Sequence, residues 1–575
     1  MQNMIQTEEF RRQPPAPLAP RPLNIPTPVE TTLSNGLQLV IVEDKRLPLV
    51  SFRLAFRTGD ADDPKQLPGL MEMMTGLLTE GTETRTSLQI AEEVARIGAT
   101  LTAGANADYT TVAASALSVY TDEILELMAD VVLRPSFPEN ELQLNKLNTK
   151  EGLKQQRAQP SFLASEMVAR IIFGEHPYSV VAPTPEAIDA MTREKLREFH
   201  RSMFAPNNAV LFVIGDVERD RLAARIAELF GDWASGQPVS AEFPPPPERA
   251  GRASYLVDRP GSAQSNIVIA NLGIKRTSPD FFPMLLMHTI LGANASSRLF
   301  MNLREEKGYT YGAYTSLDAR RTAGTFRASA EVRTPVTGAS LKEFFYELNR
   351  IRDEEVSEKE LTDAKAYLTG VFPIRLETLE GLVDQLVQIK MFGLPDSYLQ
   401  DYRERVSAVN ATEIQRVAKR YITPDQSAIV IVGDAASILE EIKPYSEEIE
   451  LYDTTGKRKE LSSLVERQAG LDVDAGHLVG SWSLNIETPF GQTLPATLVI
   501  NQEEGRIGGH IESPMGAAQL GSFSLSDNDF NATLSIDMQG QMIEATVTGS
   551  IEDNRMKGDF ILPETPPLPF TGTKQ

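Results

Sequence analysis

The sequence contains no cysteine in its 575 residues. This absence excludes disulfides, catalytic thiolates, iron–sulfur clusters and zinc sites built on cysteine. Histidine is also scarce. The five histidines are His176, His200, His288, His477 and His510, and even the closest two, His176 and His200, are far more than one helical turn apart. No helical pair of zinc-binding histidines is therefore encoded.

The sequence also has fewer basic than acidic residues and contains no long apolar run. Lys and Arg number 56 against 79 Asp and Glu, which gives a net charge of −23. Such an acidic surface repels nucleic acids and anionic lipids, so we expect neither as a partner. No run reaches the roughly 18 apolar residues of a membrane span. Residues 1–12 lack the apolar core of a secretory signal. We expect a cytoplasmic protein, or a periplasmic or cell-envelope one if an export signal was removed.

A long internal repeat is the clearest positive feature of the sequence. The segment from Thr192 to Asp216 matches the segment from Thr412 to Asp434 in the second half of the chain. Each reads as a capped helix, a Pro turn and a buried strand that ends in Gly-Asp. Glu141 and Glu360 open a second matching pair of helices, at nearly the same offset along the chain. A repeat of this length indicates a duplicated domain.

Composition divides the chain into six segments. We predict a Pro-rich extension (1–30), a first repeat (31–240), a Pro-rich linker around Pro244–Pro247 (241–249), a second repeat (250–440), a charged linker (441–474) and a C-terminal domain (475–575). Both repeats are predicted to mix helices and strands, with strands at Leu49–Phe56 and Asn266–Leu272 and a helix at Ser87–Ile97. In the last domain, short segments of alternating apolar and polar residues are separated by turn residues, which predicts an antiparallel β-barrel or sandwich. The fold class is α+β.

The segment Gly69–Thr82 reads GLMEMMTGLLTEGT. It resembles the inverted zinc helix of the pitrilysin/insulinase-type metallopeptidases, in which Gly-Leu-x-His-x-x-Glu-His precedes an apolar pair and Gly-Thr. By that resemblance the first zinc histidine falls on Glu72, the general-base Glu on Thr75 and the second histidine on Gly76. The third ligand, a Glu, falls on Glu151, or on Gly152 if the spacing is one residue longer. Zinc needs three converging protein ligands, so we expect no metal in this chain.

The second repeat resembles another functional segment of the same family. From Leu291 it reads LGANASSRLFMNLREEKGYTYGAYT, similar to the segment whose Arg and Tyr reach the substrate from the opposite domain. The resemblance assigns these roles to Arg304 and Tyr311, with Tyr309 as the alternative tyrosine. A phenol can stabilise the oxyanion of amide hydrolysis, and a guanidinium can bind a peptide carbonyl or carboxylate.

Two further segments have competing interpretations. Residues Tyr109–Leu117, after Gly104–Ala107, resemble the strand along which family members bind an extended peptide, but plain sheet is the favoured interpretation. In the C-terminal domain, Gly505–His510 and Pro569–Gly572 indicate turns and strands rather than a phosphate loop.

Three functional hypotheses follow from these features. The favoured one is a noncatalytic subunit of a heteromeric zinc metallopeptidase. It would supply Arg304 and Tyr311 to a homologous partner that carries the zinc. The second is a peptide-binding or scaffold protein that keeps the fold without activity. The third is an independent peptidase with a metal site that the sequence does not reveal.

Overall fold

A computed structural model describes residues 25–237, 242–464, 478–488, 493–503, 506–514, 516–526, 529–538, 541–552, 554–562 and 567–575. Most of the predicted Pro-rich extension, residues 1–24, therefore lies outside the described residues, as do His477 and Gly505. No helix in these ranges is long and apolar enough to cross a membrane.

The first repeat combines one six-stranded sheet with eight α-helices along the described residues up to 237. The strands are β1 Val29–Thr32, β2 Gln38–Glu43, β3 Leu49–Phe56, β4 Thr100–Ala105, β5 Thr110–Leu117 and β6 Ala209–Gly215. The helices are α1 Leu70–Gly76, α2 Ser87–Arg96, α3 Thr121–Leu133, α4 Glu139–Arg157, α5 Pro160–Phe173, α6 Pro185–Ala190, α7 Arg193–Met203 and α8 Arg219–Phe230. The strand order is β1-β2-β6-β3-β5-β4, in which only β2 and β6 pair in parallel.

The second repeat has the same plan. Its strands are β7 Ala253–Asp258, β8 Gln264–Leu272, β9 Thr310–Ala319, β10 Gly324–Arg333, β11 Ala428–Gly433, β12 Glu448–Tyr452 and β13 Arg458–Lys459. Its helices are α9 Phe281–Gly292, α10 Arg298–Phe300, α11 Thr337–Asp353, α12 Glu358–Arg375, α13 Leu379–Phe392, α14 Tyr398–Ala408, α15 Ala411–Tyr421 and α16 Ala435–Ile442. The order β7-β11-β8-β10-β9 within this sheet reproduces β2-β6-β3-β5-β4 of the first. The duplication inferred from the sequence is therefore visible as a repeated topology.

The segment predicted as a charged linker, 441–474, is partly structural. Strand β12 pairs in parallel with β7, β13 pairs with β12, and the side chain of Leu464 is buried in the core of the second repeat. Glu448, Glu450 and Lys459 gave this stretch its polar composition, but Leu451 and Tyr452 are buried. A short edge strand needs only a few apolar residues, which composition averaged over the segment conceals.

The two repeats exchange helices. Helix α5 of the first repeat packs on β8 and β11 of the second sheet, and α13 of the second repeat packs on β3 and β6 of the first. On α5, Leu163, Met167 and Val168 recur at helical spacing and face the opposite sheet. On α13, Leu382 and Leu386 do the same. Because both helices cross over, two apolar clusters contain residues of both repeats, while a third belongs to the first repeat alone.

The C-terminal domain is a closed barrel of eight antiparallel strands. They are β14 Gly480–Glu487, β15 Thr493–Glu503, β16 Arg506–Ser513, β17 Gly516–Ser526, β18 Asp529–Met538, β19 Gln541–Glu552, β20 Arg555–Ile561 and β21 Leu568–Lys574. Strand β21 closes the barrel by pairing with β14. Trp482 is fully buried in the barrel's own apolar cluster, and its indole N–H donates to the Leu478 carbonyl at 2.9 Å. The barrel alternative of the sequence prediction is the correct one.

Candidate functional site

Helix α1 is fixed at its first turn by an aspartate. The carboxylate of Asp63 accepts hydrogen bonds from the backbone N–H groups of Gly69, Leu70 and Met71 at 2.7, 3.1 and 2.9 Å. These amides have no partner inside the helix, so a carboxylate at this end stabilises it. Gly69 adopts a left-handed φ of 84°, which lets the chain turn sharply into the helix.

The four residues that the resemblance assigns to the zinc motif, Glu72, Thr75, Gly76 and Glu151, do not form a metal site. Glu72 and Gly76 are exposed on α1, and Thr75 is buried, with its hydroxyl donating to the Glu72 carbonyl at 3.0 Å. Glu151 is exposed on α4 and forms an ion pair with Lys154 at 2.7 Å. Within the described ranges no group of three His, Asp or Glu side chains could hold a metal. The residues at these positions therefore do not fit a zinc ion, which needs three protein ligands.

A cavity of about 320 Å³ lies beside Glu72. Its walls include Asp60, Ala107, His176 and Tyr178. Burial and the neighbouring carboxylate of Glu72 raise the pKa of Asp60 to about 6. This carboxyl group therefore titrates close to neutral pH.

A buried network next to this cavity joins the repeats. The Tyr178 hydroxyl donates to the carboxylate of Asp108, which also accepts from the backbone N–H of Arg321 at 3.0 Å. His176 accepts from the Tyr178 N–H through Nδ1 at 3.1 Å, so its Nε2 carries the proton and donates to Thr322 at 3.0 Å. Burial lowers the pKa of His176 to about 4, so this ring is neutral at physiological pH. The turn between β9 and β10 is thereby fixed to the first repeat.

Sequence reasoning did not identify Asp60, Asp108, His176 or Tyr178 as a group. They come from three separate segments of the first repeat, and only the fold brings them together. The short His-Pro-Tyr stretch at 176–178 carries no motif that would have pointed to them.

Arg304 and Tyr311 lie on the surface of the second repeat. Arg304 belongs to a π-helical turn, Met301–Glu306, that continues α10, and its guanidinium lies 4.8 Å from the centre of the Phe300 ring. Tyr311 is the second residue of strand β9 and is 88% exposed, and its hydroxyl has no hydrogen-bond partner among the described residues. Tyr309 is half-buried, with its N–H donating to the Leu303 carbonyl at 2.9 Å. None of the three lines the cavity beside Glu72.

The strand at Tyr109–Leu117, which resembles the peptide-binding strand of the family, does not lie at the edge of its sheet. Strand β5, which covers most of Tyr109–Leu117, pairs with β3 on one side and β4 on the other. It is therefore plain interior sheet, the interpretation that was favoured, and β4 is the edge strand. The corresponding edge of the second sheet is β9, which carries Tyr311.

Comparisons with known proteins agree with this architecture. The model of the insulinase family (peptidase family M16) matches residues 39–184, and the model of the peptidase M16 inactive domain matches residues 190–368. An uncharacterized zinc protease of Mycobacterium leprae is 27% identical, over 68% of this chain and 89% of its own. A non-peptidase homolog of Helicobacter pylori is 22% identical, over 69% of this chain and 91% of its own.

Solved structures give the same result. The crystal structure of a peptidase M16 inactive domain from Pseudomonas fluorescens superimposes with a TM-score of 0.66 at 27% identity, covering 71% of this chain and 98% of that one. A protease from Helicobacter pylori superimposes equally well, with a TM-score of 0.66 at 20% identity. The resemblance read from the Gly69–Thr82 and Leu291–Thr315 segments is thus confirmed. The chain belongs to the insulinase family, peptidase family M16, as a member whose zinc-motif positions hold no histidine.

Proposed function

We propose that this chain is the noncatalytic subunit of a heteromeric zinc metallopeptidase. Its partner would be a homologous chain that carries the zinc motif. One observation supports this above the others: Arg304 and Tyr311 are present and exposed, whereas the positions assigned to the zinc motif hold Glu72, Thr75 and Gly76. Each chain would then provide the half of the site that the other lacks.

The exposure of Tyr311 supports a role outside its own chain. A phenol that is 88% exposed and has no partner among the described residues contributes little to the stability of this fold. Amide hydrolysis develops negative charge on the carbonyl oxygen, and a phenol O–H donates to such an oxygen strongly in a site that excludes water. A partner that covers β9 would create that dry environment around Tyr311.

Arg304 suits substrate binding. Its planar guanidinium can donate two parallel hydrogen bonds to a carboxylate or reach a peptide carbonyl. Stacking on Phe300 limits the orientations of the side chain without using its N–H groups, and the contact to Glu305 at 3.5 Å is a surface ion pair of low energy. The guanidinium therefore remains available to a peptide.

The rigid union of the two repeats also favours a partner chain. Exchanged helices and the Asp108–Tyr178–Arg321 network hold the repeats against each other. Opening a cleft between them would break the apolar clusters that contain residues of both repeats. A substrate cleft therefore forms more easily between this chain and a second one.

Reconstitution tests the proposal. The chain is mixed with a homologous chain that carries His-x-x-Glu-His, and cleavage of a fluorogenic peptide is measured for each chain alone and for the mixture. We expect stoichiometric zinc in the partner, none in this chain, and cleavage only in the mixture. Zinc bound tightly to this chain, with chelator-sensitive cleavage by it alone, would overturn the proposal.

The alternative is a peptide-binding or scaffold protein of the same fold. The unpaired edge of β4 supports it, because an extended peptide can add to a free sheet edge. The two proposed functions predict different cleavage rates when this chain is mixed with the zinc-bearing homologue. A scaffold would bind its partner or peptide without increasing the rate of cleavage.

A further inference from the structure

A second cavity, of about 650 Å³, lies in the second repeat and is not explained by the proposed peptidase role. It is bounded by the end of α9, the loop 294–297, α10 with its π-helical turn, α11 and the start of α12. Small-molecule sites in proteins commonly measure about 300–1,000 Å³, so this cavity has the size of one.

The elements around this cavity have counterparts in the first repeat. Helices α4 and α12 occupy matching places in the two repeats, and the end of α9 matches α1 at the same offset along the chain. The cavity therefore lies, in the second repeat, beside the elements that correspond to α1 and α4 of the first. In the first repeat these two helices carry the residues that the resemblance assigns to the zinc motif.

The cavity wall contains buried polar side chains whose hydrogen bonds are incomplete. Arg298, Asn302 and Glu347 are 8%, 6% and 3% exposed. Nη1 of Arg298, Oδ1 of Asn302 and Oε2 of Glu347 are all buried, and none of them has a hydrogen-bond partner among the residues that the structure describes. Leaving such an atom unsatisfied costs about 1–3 kcal/mol, and more for a charged group. Three of them around one cavity indicate that something supplies the missing partners.

The bonds these side chains do make fix their orientation. Arg298 donates to Glu360 from Nε at 2.7 Å and from Nη2 at 3.0 Å, which leaves Nη1 as the only free end of its guanidinium. The amide nitrogen of Asn302 donates to Glu343 and Glu347, both at 3.1 Å. Its oxygen must therefore be the acceptor that has no partner. Oε2 of Glu347 has only a long ion-pair contact, to Nη1 of Arg350 at 3.6 Å.

We infer that this cavity binds a small zwitterion of the size of a dipeptide. Its carboxylate would accept from Nη1 of Arg298, and its ammonium group would donate to Oδ1 of Asn302 and Oε2 of Glu347. Arg298 and Asn302 are four residues apart along α10 and its π-helical turn, so their Cα atoms lie about one helical turn apart. That separation suits a molecule with opposite charges at its two ends.

Entry requires a small rearrangement. The three unsatisfied atoms are closed to solvent, so a ligand reaches them only if side chains of the wall rotate. Met301 lines the cavity and is 44% exposed. An unbranched thioether side chain rotates readily, which makes Met301 the side chain most easily displaced.

Titration calorimetry of the full chain with glycylglycine tests the inference. We expect saturable binding to one site per chain. N-acetylglycine, which lacks the ammonium group, and glycinamide, which lacks the carboxylate, should each bind at least tenfold more weakly. N-acetylglycine methylamide, which lacks both charges, should not bind. Equal binding of all four probes would overturn the inference. So would the absence of glycylglycine binding at about 10 mM, because a dissociation constant above that value is too weak to indicate a specific site.

A matched pair of variants locates the site. Glu347→Gln keeps the shape of the side chain and removes its charge, so glycylglycine affinity should fall at least tenfold. Glu354→Gln is the control, because Glu354 also contacts Arg350, at 3.3 Å, but does not line the cavity. Unchanged affinity in Glu347→Gln would contradict the assignment. If that variant does not fold, the four probes on the unmodified chain still decide. Neither measurement depends on a partner or on peptidase activity.

Discussion

At the scale of single residues, some polar side chains of the chain stabilise the fold and others make no contact that does so. The side chains of Asp63 and Asp108 accept two or three hydrogen bonds each, and Tyr178 donates one of those to Asp108, so their removal would disturb the first repeat or its contact with the second. Tyr311 is the opposite case, exposed and without a partner among the described residues. Substitutions at the two kinds of position should therefore affect different measurements.

Tyr311→Phe should lower turnover of the reconstituted peptidase by about 100- to 1,000-fold, the usual effect of removing one donor to an oxyanion. The thermal midpoint of the chain should stay unchanged. Tyr346→Phe, on the exposed face of α11 at 54% exposure, is the control and should leave both quantities unchanged. Wild-type turnover in Tyr311→Phe would contradict the assignment of the tyrosine. Reduced turnover in Tyr309→Phe together with wild-type turnover in Tyr311→Phe would favour Tyr309, the alternative residue.

Arg304→Ala should act through the Michaelis constant more than through turnover. A guanidinium that contacts the peptide in the ground state and the transition state alike contributes uniform binding, and its loss raises KM. Steady-state kinetics of the mixture separate the two effects. A fall in kcat with KM unchanged would instead show that Arg304 acts only in the transition state.

His200 should make stability depend on pH. Its ring is buried with Nε2 at 2.9 Å from the Val132 carbonyl, and burial lowers the pKa to about 4 from 6.5. The unfolded chain therefore binds a proton at a higher pH than the folded chain, and stability falls as pH drops from about 6.5 to 4. The loss is on the order of 3 kcal/mol. Urea unfolding across this range should show a smaller dependence in His200→Gln. An identical pH dependence in both chains would refute this.

At the scale of elements, local sequence patterns predicted the regular parts well. The strand expected at Leu49–Phe56 has those bounds, and the helix expected at Ser87–Ile97 ends one residue earlier, at Arg96. Both have strong periodicity within one segment. The short strands β12 and β13 were missed because β12 joins the sheet by pairing with β7, at the opposite end of the second repeat, and β13 in turn pairs with β12. Likewise the cluster around Asp108 and Tyr178 exists only through tertiary contacts.

The C-terminal boundary of the second repeat gives an element-scale prediction. Leu464 is 2% exposed in the core of that repeat, so Leu464→Ala should destabilise it by about 2–5 kcal/mol. Leu88→Ala, at a leucine that is 67% exposed, should change stability by less than about 0.5 kcal/mol. Differential scanning calorimetry measures both. Equal midpoints would mean that the segment after β13 does not belong to this core.

At the scale of the whole molecule, the chain contains two structural bodies of different kinds. One large apolar cluster contains residues of both repeats, whereas, within the described ranges, the apolar cluster of the barrel contains only residues from Leu478 onward. The sequence predicted the duplication and the β domain from repeat offset and period-two alternation. It could not predict the crossing of α5 and α13, because an amphipathic helix does not specify which of two similar sheets it covers.

The separation of the bodies predicts the behaviour of truncated chains. A chain that ends after Leu464 should keep any assembly and activity of the reconstituted peptidase, because Arg304 and Tyr311 lie in the second repeat. The fragment 478–575 should fold alone, with β-type circular dichroism and the blue-shifted fluorescence of buried Trp482. Loss of assembly in the truncated chain would show that the barrel contributes to the interface.

The exchange of α5 and α13 amounts to domain swapping within one polypeptide. A single repeat would leave one face of its sheet uncovered and one helix without a sheet, so it would need a second copy to complete its fold. Joining two copies in tandem makes the second copy permanent. Either copy is then supported by the other, and one can lose its catalytic side chains while the pair still folds. The helix exchange thus gives a physical reason why family members can persist as folded proteins after the zinc motif has gone.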